Sequence, residues 1–593
     1  MFGLLKTENK FNKQFYLFLS FTFFISCLLM LPFFRTSIIK LTEIVLHKNL
    51  SFEFWNKILL YTLITISSFA FYWMVSSFFY YYTKSDKFDL KRTMISISLI
   101  LFVISLIVQT VVLYDGIVYG LDDPSYVAIA KAMAENTYKA DFTRMSDPSV
   151  YLHYAIGYPS LIAIPYKIFG MNYYAIKFVN VLLYALFVVV LFNFLFFLVK
   201  DISIGLFISC IFCLNFTISN WQNHTMSDTP CMVFSLFCLV LIYNIYFSES
   251  KKKYLKAVLL GFFFFISYEC SMNGLVCILT IFSIQILICI SKIFSKLIIV
   301  KEMMNDYSKM DWKIHVIPYI VFIFFLVIQK ILYPTLPRYD SFYLDDLSLK
   351  VLVQNFFHFH YMYRFFSSAW NEVFHQFNEL SKISFYLSLL FALYGMIKNW
   401  KKLAVIIIFT IGNTIIYCLW KALCDFRFYL PLYISLAVFC AYGAKSIKEY
   451  FHGKDVILPT IMGKAFVLMF CAMFTVSVFP VYTKDFKTTI QKDGHSYSKE
   501  AQDIWTYINK NVPEDKTFIF RSPTELYLYT KHNIADYDNA DYYLHNFEIP
   551  VDQERKNILS DKSVAENQIE IDGIHFELEY SNDKFKLFRA CKK

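Results

Sequence analysis

The sequence predicts a polytopic α-helical membrane protein with a small α/β domain at its C-terminal end. Three observations predict it. The 593 residues are 57% hydrophobic, 20% aromatic and only 17% charged, with 66 Phe and 44 Tyr, and the mean hydropathy is +0.47; a water-soluble domain of this size carries far more charge. Apolar segments recur from residue 15 to about residue 482, many close to the roughly 20 residues a helix needs to cross a bilayer. After Val481 the chain turns charged and no further spanning run occurs.

Taken in order, the first apolar segment, Phe15 to Phe34, is too long for a signal-peptide core and lacks a small-residue cleavage site, so it reads as a retained anchor. With the next span it makes an N-terminal pair of helices over residues 1–92. Residues 93–482 form the membrane core, which brings the total to about thirteen spans. Lys and Arg set the orientation, because short cytoplasmic loops hold the excess of positive charge. Every second connection is basic: Lys84 to Arg92, Lys251 to Lys256, Lys292 to Lys313, Lys398 to Lys402 and Lys445 to Lys454. That phase puts the N-terminus inside. It places outside the loop that holds Asp122, the connection from Asn220 to Thr229, the loop from Tyr333 to Ser384, and the C-terminal tail.

The net charge of +10 is thereby a consequence of topology and implies no nucleic-acid partner. Most of the 13 Cys, Cys210, Cys213, Cys277 and Cys440 among them, lie in apolar runs where Cys acts as a small hydrophobe. No spacing suggests a zinc site or a disulfide framework.

Residues 115–173 are more than a connection between two spans requires. Asp122-Asp123-Pro124 begins a short interfacial helix rich in Ala, and Tyr154 to Phe169, with Gly157-Tyr158-Pro159, forms a second. Residues 483–593 make the exterior α/β domain. There Glu500 to Asn509 reads as an amphipathic helix, Phe518 to Phe520 as a strand and Thr524 to Tyr529 as a helix. Ile569 to Ile571 and Ile574 to Glu579, joined by Asp572-Gly573, read as a hairpin, and Lys584 to Phe588 as a further strand.

Four places put chemistry at the exterior membrane edge, where a carboxylate is far cheaper than in hydrocarbon. They are Asp122-Asp123, Ser227-Asp228-Thr229-Pro230, Glu269 in the turn Tyr268 to Gly274, and Asp425-Phe426-Arg427-Phe428-Tyr429. Each has a plainer account. Helix capping and the helix dipole explain Asp122, Asp123 and Asp228; solvation explains Glu269, the favoured reading for that residue; and an interfacial cation explains Arg427. The aromatic run Phe356 to Phe366, which contains His358, His360 and Arg364, reads as an interfacial belt, with a mobile cover over a bound lipid as the alternative.

In order and sidedness these motifs resemble the GT-C fold glycosyltransferases, specifically the bacterial relatives of protein O-mannosyltransferase and lipid A aminoarabinose transferase. The resemblance covers roughly residues 93–535 and rests on the acidic pair followed by Tyr126, on Gly157-Tyr158-Pro159, Phe169-Gly170-Met171-Asn172, Ser227-Asp228-Thr229-Pro230 and Phe426 to Pro431, and on Leu526-Tyr527-Leu528-Tyr529-Thr530. The sequence departs from the family in having Asp123 where Glu is usual, in carrying two extra N-terminal spans, and in lacking a basic residue beside Glu269.

The resemblance implies an inverting transfer of a sugar from a polyprenyl-phosphate donor to a lipid, glycan or protein acceptor on the exterior face. A glycosyl phosphate already carries its leaving group, so one base and some cations suffice, unlike the two-carboxylate arrangement of glycoside hydrolases. By family position Asp122 is the base, and Asp123 orients the site or helps hold a divalent cation, which takes hard oxygen ligands. Arg427 meets the departing phosphate, with Lys177 and Arg364 as weaker choices; Asp228 orients the donor or acceptor, and Tyr126, Tyr158 and Tyr429 line the substrate site. In a bacterium this places the protein in the inner membrane with its site facing the periplasm. The rival from another class is a transporter or flippase of lipid-linked sugars. Such proteins tend to place polar groups at mid-membrane and to show repeated halves, which this sequence does not.

Overall fold

A computed structural model describes residues 89–111, 123–138, 154–246, 252–293, 311–335, 349–366, 378–419, 426–452, 498–520, 523–530, 532–534, 540–547, 567–571 and 573–591, with a few isolated positions besides. The two N-terminal spans expected within residues 1–92 lie outside these residues apart from a few isolated positions, and Asp122 and Asp425 lie outside them as well. The membrane-embedded part is helical. It runs through α1 (Leu90–Val111), α2 (Asp123–Ala134), α3 (Gly157–Phe169), α4 (Tyr173–Val199), α5 (Ile202–Cys213), α6 (Phe216–Trp221) and α7 (Asp228–Tyr246). There follow α8 (Lys253–Cys270), α9 (Leu275–Ile293), α10 (Trp312–Leu332), α11 (Leu349–Phe357), α12 (Asn378–Asn399), α13 (Ala404–Leu419) and α14 (Leu430–His452).

Five described helices are long and apolar enough to cross a bilayer: α1, α4, α7, α10, and α14 with its leading turn. Helices α5, α9 and α13 are shorter apolar segments. Their starts follow local chemistry. Asn172, Asp201 and Asp311 cap α4, α5 and α10 by accepting from the backbone N–H of Ala175, Ile204 and Lys313, which satisfies donors that have no partner inside the helix. On α1, Leu99, Ile100, Ile107 and Val111 stay exposed, as do Ile320, Ile323, Phe324 and Ile331 on α10; in a bilayer such faces meet lipid.

The most enclosed of the five is α14. It crosses α12 where Gly395 meets Gly443: a Cβ on Gly395 would stand 2.2 Å from the Phe439 carbonyl oxygen, and one on Gly443 would stand 2.4 Å from that of Phe391. Only hydrogen fits at this crossing, the small-residue contact that lets membrane helices approach closely.

The C-terminal part is a six-stranded sheet of order β2-β1-β3-β6-β5-β4, formed by β1 (Thr517–Phe520), β2 (Asn533–Ile534), β3 (Tyr542–Asn546), β4 (Gln568–Ile571), β5 (Ile574–Ser581) and β6 (Phe585–Ala590). Strand β1 runs parallel to β2 and β3, and the other pairings are antiparallel. The amphipathic helix α15 (Lys499–Asn511) lays Ala501, Ile504, Trp505 and Ile508 on the face made by Phe518, Phe520, Leu544, Phe585 and Leu587. The hairpin, the further strand, β1 and both helices stand where the sequence places them, within two residues at most ends. Strands β2 and β3 are additions that the sequence pattern does not announce.

A second short helix, α16 (Pro523–Tyr529), joins the sheet to the membrane part. Leu528 enters the apolar cluster of Tyr126, Val127, Ala130, Tyr158 and Tyr173. The Lys131 ammonium donates to the Tyr527 carbonyl at 3.0 Å and lies 4.4 Å from the Tyr527 ring centre.

Candidate active site

The site forms where the start of α2 meets the segment between α6 and α7. Helix α2 begins at Asp123, as its Asp-Pro opening favours. The Asp123 side chain is fully buried. Its Oδ1 accepts from the Thr225 backbone N–H at 2.6 Å and from the Thr225 hydroxyl at 3.2 Å, and the same hydroxyl reaches the Asp123 carbonyl oxygen at 3.2 Å. Its Oδ2 faces His224 Nδ1 at 3.6 Å. Capping explains why an acid suits the helix start; it does not explain a carboxylate oriented by a loop about a hundred residues later in the chain.

The same loop gathers other residues. Tyr126, one turn into α2, shares a 3.0 Å hydrogen bond with Ser227, and its ring meets Tyr158 edge-on at 5.7 Å. Asn180 on α4 donates to the His224 carbonyl oxygen at 2.9 Å. Arg427 donates to Met226 Sδ at 3.2 Å and its guanidinium lies 4.8 Å from the Phe428 ring. Asp228 opens α7 and is partly exposed.

Burial, with the Asp123 charge nearby, holds the Tyr158 phenol well above its ordinary range, so Tyr158 acts as a neutral hydroxyl. Gly157 precedes it for a steric reason: a Cβ there would stand 2.6 Å from the carbonyl carbon and oxygen of Glu269, so α3 can lie against the end of α8 only with glycine at that position. This packing also corrects the expectation for Glu269, which is 3% exposed and not solvated. Burial, with the Glu269 charge, pushes the Tyr138 phenol up to about 12.

The expected residues thus divide. Asp123, Tyr126, Tyr158, Asp228 and Arg427 gather around the segment from His224 to Asp228. Lys177 is fully buried one turn before Asn180 on the same face of α4, next to this group in the fold. Tyr429 is directed elsewhere: its hydroxyl donates to the His358 carbonyl oxygen at 2.8 Å and pairs with the Tyr417 hydroxyl. It fastens the aromatic segment, whose Phe365 ring packs 4.4 Å from Tyr433 and whose Met362 carbonyl accepts from the Tyr433 hydroxyl. This segment is built into the helical body. The backbone of Arg364 belongs to its 3-10 turn, and Asp122 lies outside the described residues. Sequence reasoning passes over His224, Thr225 and Asn180, for which no local pattern gives a signal.

Among the described residues no three His, Cys, Asp or Glu side chains converge in a way that would hold a metal ion. Asp123 Oδ2 and His224 Nδ1 face each other at 3.6 Å, and the described residues place no third ligand beside them.

The apolar spanning helices mark an integral membrane protein, and its fold is the GT-C fold of the solved structures it resembles. The fold is similar to that of ArnT from Cupriavidus metallidurans. The structure of ArnT bound to undecaprenyl phosphate matches 83% of this chain and 97% of its own, with a TM-score of 0.53 at 10% identity; the apo state matches 84% and 97%, with a TM-score of 0.51 at 8% identity. An archaeal oligosaccharyltransferase, AglB from Archaeoglobus fulgidus, in complex with an inhibitory peptide and a dolichol-phosphate, is more distant, at a TM-score of 0.48 and 11% identity over 77% of this chain and 70% of its own. No protein-family model matches the sequence, and no curated protein matches it.

Proposed function

We propose that the protein is a glycosyltransferase that moves a sugar, with inversion, from a polyprenyl-phosphate donor to a lipid, glycan or protein acceptor. The observation that carries this reading is the position of Asp123: in a fold shared with ArnT, whose structure is bound to undecaprenyl phosphate, a buried, oriented carboxylate stands at the start of α2. Asp122 is the base that takes the acceptor proton, for which it must come within about 3 Å of the hydroxyl. Asp123 orients the site, and Arg427 meets the charge that develops on the departing phosphate. Residues 1–92 add two spans to the core of residues 93–482, with its loop 115–173. Residues 483–593 stand on the exterior face, which in a bacterium is the periplasmic side of the inner membrane, with the N-terminus in the cytoplasm.

The test is transfer of radiolabelled sugars from a panel of polyprenyl-phosphate donors to membrane extract, with wild type and Asp122→Asn at matched expression. Transfer by wild type that disappears in the variant is expected. Equal transfer by both proteins would remove Asp122 from the mechanism.

A further inference from the structure

We infer that Asp123 and His224 form an orienting pair in which the carboxylate fixes the Nδ1–H tautomer of the imidazole, so that Nε2 offers its lone pair to a sugar hydroxyl of the substrate. The ligand in this inference rests on the proposed glycosyltransferase activity; the pair itself does not.

The geometry is one of complementary unsatisfied atoms. Asp123 Oδ1 is occupied by Thr225. Asp123 Oδ2 and His224 Nδ1 are both buried without a hydrogen-bond partner among the described residues and stand 3.6 Å apart. A buried polar atom left in that state costs about 1–3 kcal/mol, and a closure of about half an ångström would make the bond. It forms only if Nδ1 carries the hydrogen. Which nitrogen of a neutral imidazole is protonated is set by the hydrogen bond the other makes, and a carboxylate on Nδ1 is the arrangement that leaves Nε2 as a base.

The ring is also held in place. It stacks on Trp221 with centres 4.2 Å apart, and its backbone carbonyl is fixed by Asn180. The side chain keeps 13% exposure, none of it at buried Nδ1. An imidazole with a fixed plane and a fixed tautomer that is not wholly buried is a preorganised acceptor. His224 therefore acts by holding a substrate hydroxyl.

The tautomer is read from the ring nitrogens of the full-length, histidine-labelled protein in detergent at about pH 9, where a free imidazole is neutral, with His224→Gln identifying the signal. Wild type is expected to show hydrogen on Nδ1. In Asp123→Asn, Thr225 still claims the side-chain oxygen and the amide turns its hydrogens to Nδ1, so the hydrogen moves to Nε2. Hydrogen on Nε2 in wild type overturns the pair.

The role is read by transfer. His224→Gln should lower kcat about 100-fold with KM for the lipid donor changed by no more than about two-fold. The double variant with Asp123→Asn should fall no further than the lower single, as expected of residues that act as a unit. Wild-type turnover in His224→Gln overturns the role. Wild-type protein that transfers from no donor, yet carries hydrogen on Nδ1, overturns the glycosyltransferase reading and its sugar ligand and upholds the pair.

Discussion

The hydroxyl of Tyr529, at the end of α16, lies 2.6 Å from that of Tyr173, the first residue of α4. With the bond from Lys131 to Tyr527, it ties the C-terminal sheet to the two helices that flank the acidic site. The α/β domain thereby braces α2, whose first residue is Asp123.

Removing that brace should be felt at the site. Tyr529→Phe deletes one hydrogen bond, at a cost of about 1 kcal/mol. The expected outcome is a lower unfolding midpoint together with a fall in transfer, and Lys131→Ala should add to both. Unchanged transfer in the double variant would show that the sheet domain does not position α2.

Gly157→Ala should be severely destabilising. The new methyl group would lie within 2.6 Å of backbone atoms of Glu269 and 2.8 Å of the Cys270 nitrogen, and backbone cannot give way as a side-chain tip can. Overpacking of this kind costs about 1–3 kcal/mol or more. Yield in membranes and detergent stability both report it; Gly170→Ala, where nothing lies within 4 Å but φ is +65°, serves as a comparison for strain without a clash.

Asp123→Ala and Asp123→Asn should separate structure from chemistry. Alanine leaves the buried Thr225 N–H without its acceptor, at about 1–3 kcal/mol, whereas asparagine keeps an oxygen there. Loss of transfer in both, with loss of thermal stability mainly in the alanine variant, is expected. Equal destabilisation would mean that the Thr225 bond contributes little.

Arg427→Lys should raise KM for the lipid donor about ten-fold, because an ammonium cannot reproduce the planar fork that suits a phosphate. Steady-state kinetics over donor concentration check this. An unchanged KM would assign Arg427 to its contact with Met226 and not to the donor.

Stability should fall at alkaline pH through Tyr138. Its folded pKa is raised to about 12 from 10.0, so the folded state holds the proton more tightly than the unfolded chain. The contribution is complete below pH 10 and is lost as pH rises through about 12. Tyr138→Phe should flatten this part of the stability curve, measured by unfolding at stepped pH. Because burial is the larger cause and the Glu269 charge the second, Glu269→Gln should shift the loss only in part.

Much of this is legible in the chain because it is written locally. Apolar runs, the Asp-Pro helix start at Asp123, the Asp572-Gly573 hairpin and the change in composition after Val481 depend on neighbours a few residues away. Glu269 departs from its expected solvation for the opposite reason: it packs against Gly157, more than a hundred residues earlier. Strand β3 escapes the sequence pattern although Tyr542, Tyr543 and Leu544 are buried, since Asp-Tyr-Tyr-Leu-His-Asn has neither alternation nor a turn signal to mark it.

The sequence by itself determined that this is a membrane protein, which helices are apolar, and which acids stand at their ends, because the bilayer penalises every charge and every unpaired backbone group at once. Only the tertiary structure decided that Asp123 would be held by Thr225 and face His224, that Tyr429 would fasten the aromatic segment instead of lining the site, and that α16 would brace α2. Those relations join residues far apart in the chain, and a hydrogen bond depends on distance and direction in space, which no local pattern specifies.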